Sequence, residues 1–194
     1  MKYGIIGRFK PLHNETAGLL ESVLEQGHDL RIVIGSSNQY DARNPFTADE
    51  TNEMIELFLK GKNYSAAFLP DFGNEPKWAS EAKEVLGTVD GLITNNDYVS
   101  GLLEPHYKII PSKQFSPDRS HYFSGSDVRL KMVRGENWKS FVPDAVADYL
   151  EGRGILARFI REFGEQTITL YGNDNFADRS REREKARIDA SFRK

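Results

Sequence analysis

Cysteine is absent from the 194 residues, so the chain can form no disulfide, no thiolate metal site and no cysteine nucleophile. Histidine is scarce, and His13, His28, His106 and His121 show no metal-ligand spacing. No apolar run approaches the roughly 18 residues that a membrane span needs. The start, MKYGIIG, has no basic region followed by a long apolar stretch and does not read as a signal peptide. Neither sign of charge dominates. With 26 Lys+Arg against 29 Asp+Glu the formal net charge is -3, which gives no global electrostatic case for a nucleic-acid partner. What is present is 39% apolar residues, including 12 Phe and 8 Tyr, enough for one core at this length. These features predict a cytoplasmic enzyme or binding protein.

Short apolar runs alternate with amphipathic stretches from the first residue, the rhythm of a parallel sheet covered by helices. Strands are predicted at Tyr3–Ile6, Leu30–Ile34, Ala66–Leu69, Gly91–Thr94 and Tyr107–Ile110. Thr16–Gln26 reads as a helix, and Thr47 to Glu50 as a capping box opening another. Lys77–Leu86 and Tyr98–Leu103 carry weaker helical patterns. Ser126 is read as the cap of a helix to Arg134, Pro143 as the first turn of a helix through Leu150, and Ile155–Phe163 as a last helix. The expected fold is α/β: a Rossmann-like, doubly wound, parallel five-stranded sheet with C-terminal helices. Residues 1–163 form the expected domain and 164–194 a C-terminal extension, with an extra strand at Thr167–Tyr171 and a polar stretch, Asp178–Arg187, that is either a solvated helix or disordered. From Asp174 onward seven Lys/Arg and five Asp/Glu set this tail apart in composition.

In an open α/β sheet, ligands sit beyond the carboxyl ends of the strands, where the next helix aims unpaired N–H groups at them. The first strand runs into Gly7, Arg8, Phe9, Lys10, Pro11 and Leu12, then His13 and Thr16 at a helix entrance. Gly7 permits a tight turn, Arg8 and Lys10 add positive charge, and His13 can donate to a phosphate oxygen. No Walker loop and no GxGxxG occurs, and on composition alone the plainer reading is a solvated turn. A second anion-receptive helix start lies at Ser124, Gly125 and Ser126, with Arg129 read into its first turn, where the helix dipole disfavours a cation unless an anion is present. The plainer reading there is an ordinary cap.

GRFKPLHNET and FSGSDVR resemble the GRFQPFHxGH and YSGTEIR motifs of the HIGH-type nucleotidyltransferases, specifically the archaeal-type nicotinamide-nucleotide adenylyltransferases. The segment from Ile34 through Asn44-Pro45-Phe46-Thr47-Ala48 resembles that family's IGSAQ…NPFTAGER, Thr94-Asn95-Asn96 its SGNP, and MVRGENWKSFVPDAVADYL its RRMLNGExWxxLVPxAV. The resemblance covers about residues 2–160.

It implies adenylyl transfer: the phosphate of nicotinamide mononucleotide attacks the α-phosphorus of ATP, giving NAD and pyrophosphate. A phosphate nucleophile is already ionised, so alignment and charge stabilisation matter more than a strong base. Arg8, His13 and Arg129 then carry the electrostatic work with Lys10 as helper. Gly7, Phe9, Lys10, Thr16, Ser124, Gly125 and Ser126 would contact ATP and its phosphates, aided by Arg119 or Lys113. Trp78 would stack on the pyridine ring, its plainer role being packing, and Asn95 and Asn96 would bond the carboxamide or ribose, their plainer role being a turn. Mg2+ would arrive with ATP, and a homo-oligomer is implied by similarity. Thr16 stands where the family has its second His, Glu15 where it has Gly, Thr51 where NPFTAGER ends in Arg, and Lys10 where it has Gln. The alternatives are a related transferase with another phosphorylated acceptor and a catalytically weakened nucleotide-binding protein.

Overall fold

All five predicted strands are present in the computed structural model, which describes residues 1–115 and 123–172. They are β1 (Lys2–Gly7), β2 (Asp29–Gly35), β3 (Tyr64–Leu69), β4 (Gly91–Ile93) and β5 (Ile109–Ile110). All pairings are parallel and the order is β3-β2-β1-β4-β5. The helices are α1 (Asn14–Glu25), α2 (Ala48–Phe58), α3 (Glu75–Leu86), α4 (Asp97–Leu103), α5 (Gly125–Arg134), α6 (Asp144–Gly152) and α7 (Ile155–Tyr171). Winding proceeds outward from β1 in both directions, which makes the fold Rossmann-like and doubly wound, with its switch point between β1 and β4. Among the described residues no helix is long and apolar enough to cross a membrane. Arg119, His121 and the Asp178–Arg187 stretch lie outside the described residues.

Strand β2 shows why the apolar runs are continuous rather than alternating. Leu30, Ile32 and Ile34 join the larger core cluster, with Leu20 and Val23 of α1, Met54 and Ile55 of α2, Val128 of α5, Leu150 of α6 and Phe159 of α7. Val33 points the other way, to Ala82 and Leu86 of α3 and Val99 and Leu103 of α4. Both faces of the sheet are covered, so both sets of side chains must be apolar.

Two expectations are corrected. Thr167–Tyr171 is not a strand but the final turns of α7, buried at Thr167 and Tyr171. Its β-branched residues favour a strand locally, but docking of α7 along α5 and α6 buries one helical face and overrides that preference. The helix passes position 164 without a break. The cap of α5 is Ser124, not Ser126. Ser124 Oγ accepts from Asp127 N at 3.4 Å while Asp127 Oδ2 accepts from Ser124 N at 2.7 Å, a reciprocal box that Ser126, with Arg129 three residues on, cannot make. Arg129 therefore lies in the second turn, and the dipole penalty expected of a first-turn cation does not apply to it.

The capping box of α2 is present as expected: Glu50 N donates to Thr47 Oγ1 at 3.1 Å and Thr47 N to Glu50 Oε2 at 2.9 Å. Arg158 of α7 completes it, with Nη1 2.5 Å from Glu50 Oε1 and Nη2 2.7 Å from Oε2. Burial works against ionisation of Glu50, but the Arg158 and Thr47 hydrogen bonds outweigh it and hold the carboxyl below its usual range. Replacing Arg158 with Met should lower the unfolding free energy by about 1–2 kcal/mol in urea titrations at neutral pH, since the pair is only partly exposed. A lowered carboxyl pKa stabilises above its ordinary range and ceases to do so on acidification, so the difference between the two proteins should shrink as the pH falls through the pKa of Glu50 in the fold.

Candidate active site

Beyond the carboxyl ends of β1 and β4 lies a cleft of about 320 Å³. Gly7, Arg8, Phe9, Lys10, His13 and Thr16 of the first motif line it together with Ser124, Gly125, Ser126 and Arg129 of the second and with Asn95 and Asn96. Lys10 and Arg129 are 119 positions apart in the chain, yet a backbone oxygen of the first and a guanidinium nitrogen of the second are 2.6 Å apart. Trp78 is set elsewhere. It lines a neighbouring hollow of about 310 Å³ with Phe72 and Tyr98, the latter two residues beyond Asn96.

Local backbone geometry makes the close approach possible. Phe9 adopts a left-handed φ of 52° and its ring folds back over Gly7, where a Cβ would sit 2.8 Å from the ring. Gly125 plays the same part for the second motif: a Cβ there would lie 3.2 Å from the Lys10 carbonyl oxygen. Ser36 also has a left-handed φ, 50°, and its carbonyl accepts from Lys10 Nζ at 2.9 Å. Non-glycine residues held in this region cluster at sites where structure is spent on positioning.

Arg129 is only 3% exposed. Its Nη1 donates to the Lys10 carbonyl, its Nη2 to Tyr171 Oη at 3.1 Å, and its buried Nε–H has no acceptor in the fold. Burial pulls its pKa down, the Tyr171 phenol partly offsets this, and the nearby Arg8 charge adds to the depression. Lys10, equally buried, is lowered to about 8 by burial first and by Arg8 next, against smaller opposing effects of Asp41 and Asp71. Among the described residues neither Arg8, Lys10 nor Arg129 is in an ion pair. Three cations thus line one cleft, offset only in part by the more distant carboxylates of Asp41 and Asp71 among the described residues, which is the electrostatic form of an anion site.

The remaining predicted residues fall into place with different commitments. His13 precedes α1, packs its ring at 5.3 Å from that of Phe123, and meets Thr16 Oγ1 at 3.1 Å through Nε2. The Glu15 carboxylate accepts from Phe123 N at 3.3 Å and is not among the cleft-lining residues. Ser124 Oγ is engaged by its own capping box and lies 3.1 Å from Ser126 Oγ. Asn95 is tied at both ends to Ser112, donating to Oγ at 2.5 Å and accepting from N at 3.0 Å. Asn96, which also lines the cleft, caps α4 by accepting through Oδ1 from Tyr98 N and Val99 N. Thr51 is fully buried and donates to the Thr47 carbonyl, away from the cleft. Lys113 lies in a short 3-10 turn over 112–114 outside the cleft lining. Sequence reasoning missed Ser36 and Tyr171. A backbone acceptor leaves no residue-type signal, and Tyr171 sat on a segment read as a strand.

A cleft built this way should bind inorganic pyrophosphate with a characteristic pH dependence. The bound anion favours the charged form of Lys10, whose pKa in the free protein is about 8, so calorimetric affinity should fall as the pH rises past that value. Lys10→Gln should remove the inflection. The same depression means that the unfolded chain holds a proton the folded chain lacks between about 8 and the ordinary 10.5, so the unliganded fold should gain stability across that interval.

No protein-family model matches the chain. It is 32% identical over 170 residues to the nicotinamide-nucleotide adenylyltransferase of Picrophilus torridus, covering 85% of this chain and 98% of that one. Identity to the enzyme of the same name from Thermococcus kodakarensis is 34% over 152 residues, 75% of this chain and 79% of the relative. Among solved structures, the bifunctional NMN adenylyltransferase/ADP ribose pyrophosphatase of Francisella tularensis, complexed with AMP and a manganese ion, superposes with a TM-score of 0.68 at 18% identity over 88% of this chain. The chain spans about half the length of that bifunctional protein, 54%, and the likeness concerns the fold. Matched over nearly the full length of an archaeal relative, and with both motif loops meeting in one cationic cleft, the chain belongs to the nicotinamide-nucleotide adenylyltransferase family.

Proposed function

We propose that this chain transfers the adenylyl group of ATP to nicotinamide mononucleotide in the cleft at the switch point. The observation that carries the reading is the buried pair of Lys10 and Arg129, in no ion pair among the described residues and joined through the Lys10 carbonyl. In the reaction a phosphate oxygen of the mononucleotide forms a bond to the α-phosphorus of ATP, the bond from that phosphorus to the β-bridging oxygen breaks, and the electron pair leaves with pyrophosphate. The nucleophile is ionised at neutral pH and needs no base. Arg8, Lys10, His13 and Arg129 hold the reacting phosphates and stabilise charge on the leaving oxygens, while the first N–H groups of α5 at Gly125 and Ser126 offer the helix-start donors.

Among the described residues no group of three or more carboxylate or imidazole side chains could cage a metal, and the charged side chains lining the cleft are basic. Magnesium therefore enters as part of the substrate, carried by the phosphates of ATP. The hollow of Trp78 and Tyr98, whose rings are 6.0 Å apart, offers aromatic faces to the pyridine, and Asn96 lines the cleft two residues before Tyr98. A homo-oligomer is part of the same reading, by resemblance to the family.

The purified chain, given MgATP and nicotinamide mononucleotide, should produce NAD and pyrophosphate in equal amounts, and a panel of other phosphorylated acceptors should give lower kcat/KM. A preferred acceptor of another kind would replace this reading with that of a related transferase, and nucleotide binding without turnover would replace it with that of a binding protein. Arg129→Ala should cost at least about 10² in kcat/KM, the typical cost of one preorganised donor to the transition state. Thr16→Val should cost about threefold to tenfold in kcat through loss of one hydrogen bond to His13. Thr51 is too deeply buried for the arginine of the family motif to be restored there.

A further inference from the structure

We infer that Tyr171, the last residue of α7, is a positioning residue for Arg129, so that the C-terminal helix is part of the transfer machinery rather than an appendage to it. The inference rests on the reading of the cleft as the adenylyl-transfer site. Tyr171 is 9% exposed, and its Oη accepts from Arg129 Nη2 at 3.1 Å while the guanidinium carbon stands 5.3 Å from the centre of its ring. The opposite Nη1 is fixed by the Lys10 carbonyl at 2.6 Å. Two bonds at the two terminal nitrogens define the plane of the guanidinium, and the Nε–H edge is left buried and without an acceptor in the fold.

The chemistry of the two holders matters as much as their placement. Both are neutral oxygens. A carboxylate at position 171 would orient Arg129 equally well but would neutralise it and compete with phosphate for its remaining donors. A phenol and a carbonyl fix the direction of the group and leave its full charge for the ligand. Orientation of a cation toward charge that develops in the transition state acts on kcat more than on ground-state binding.

The test is a double-mutant cycle on the full chain, with Tyr171→Phe, Arg129→Lys and the pair, supported by thermal melts. Tyr171→Phe keeps the ring and its packing. It should melt within a few degrees of the wild type, lower kcat about tenfold and change KM for MgATP less than twofold. In the Arg129→Lys background, where no second terminal nitrogen remains to be held, the same change should have no further effect. Tyr171→Glu should weaken pyrophosphate binding in calorimetry more than Tyr171→Phe does, because it neutralises what it orients. Wild-type kcat in Tyr171→Phe, or losses that multiply independently in the pair, would overturn the inference while leaving the adenylyl-transfer reading intact. A wild-type chain that makes no NAD would sink that reading instead. The inference, which rests on that reading, would fall with it.

Discussion

One guanidinium governs this molecule. Arg129 is buried with no carboxylate in an ion pair to it among the described residues, a placement that costs several kcal/mol unless the group is fully hydrogen-bonded or met by an anion. The fold meets part of that demand with a main-chain oxygen from the first motif and a phenol from the last helix, and it leaves the Nε–H unmet. Much of the surrounding architecture serves this arrangement. Gly125 lacks a side chain because the Lys10 carbonyl must come close, Phe9 takes a left-handed conformation so that the loop can turn back, and the box at Ser124 and Asp127 starts α5 where its second turn reaches the cleft.

Helix α7 links the remaining parts. Near its start Arg158 grips Glu50 and so steadies the beginning of α2, and at its end Tyr171 reaches Arg129. The helix packs on α5 and α6 between these two points. A disturbance of α7 is therefore felt at two loops that are far apart in sequence but border the same end of the sheet. This is a mechanical reason for the C-terminal helix to be ordered at least to residue 171, whatever its local preference for strand.

The sheet was legible because apolar runs covered on both faces have no alternative meaning at that length. The parallel, doubly wound sheet followed from the alternation with helices, and the cleft from the rule that ligands sit beyond the carboxyl ends of the strands, whereas the strand order was read only from the structure. The motif resemblance identified both cationic loops, and the cleft lining contains Arg8, His13 and Arg129 together. Three things were hidden. The cap of α5 was misplaced because two serines compete and only reciprocal bonding decides between them. Thr167–Tyr171 was misread because packing against α5 outweighs β-branched propensity. Trp78 belongs to a separate hollow because its distance from the phosphate loops depends on how α3 and α4 pack, which no local pattern encodes.

The departures from the motif form a consistent exchange rather than a simple loss. Where the resemblance has a second histidine, Thr16 stands against His13, and its hydroxyl occupies one ring nitrogen instead of adding a second imidazole donor. Where it has Gln, Lys10 contributes a cation whose ammonium is held by the Ser36 carbonyl and whose pKa of about 8 lies close to neutrality. Glutamine can donate to a phosphate but cannot respond to it. A depressed lysine gains charge as the anion arrives, so binding and protonation become linked at this position. Glu15, whose carboxylate accepts from the Phe123 amide, is outside the cleft lining. The site keeps its cationic character by moving the source of charge from the helix entrance into the loop.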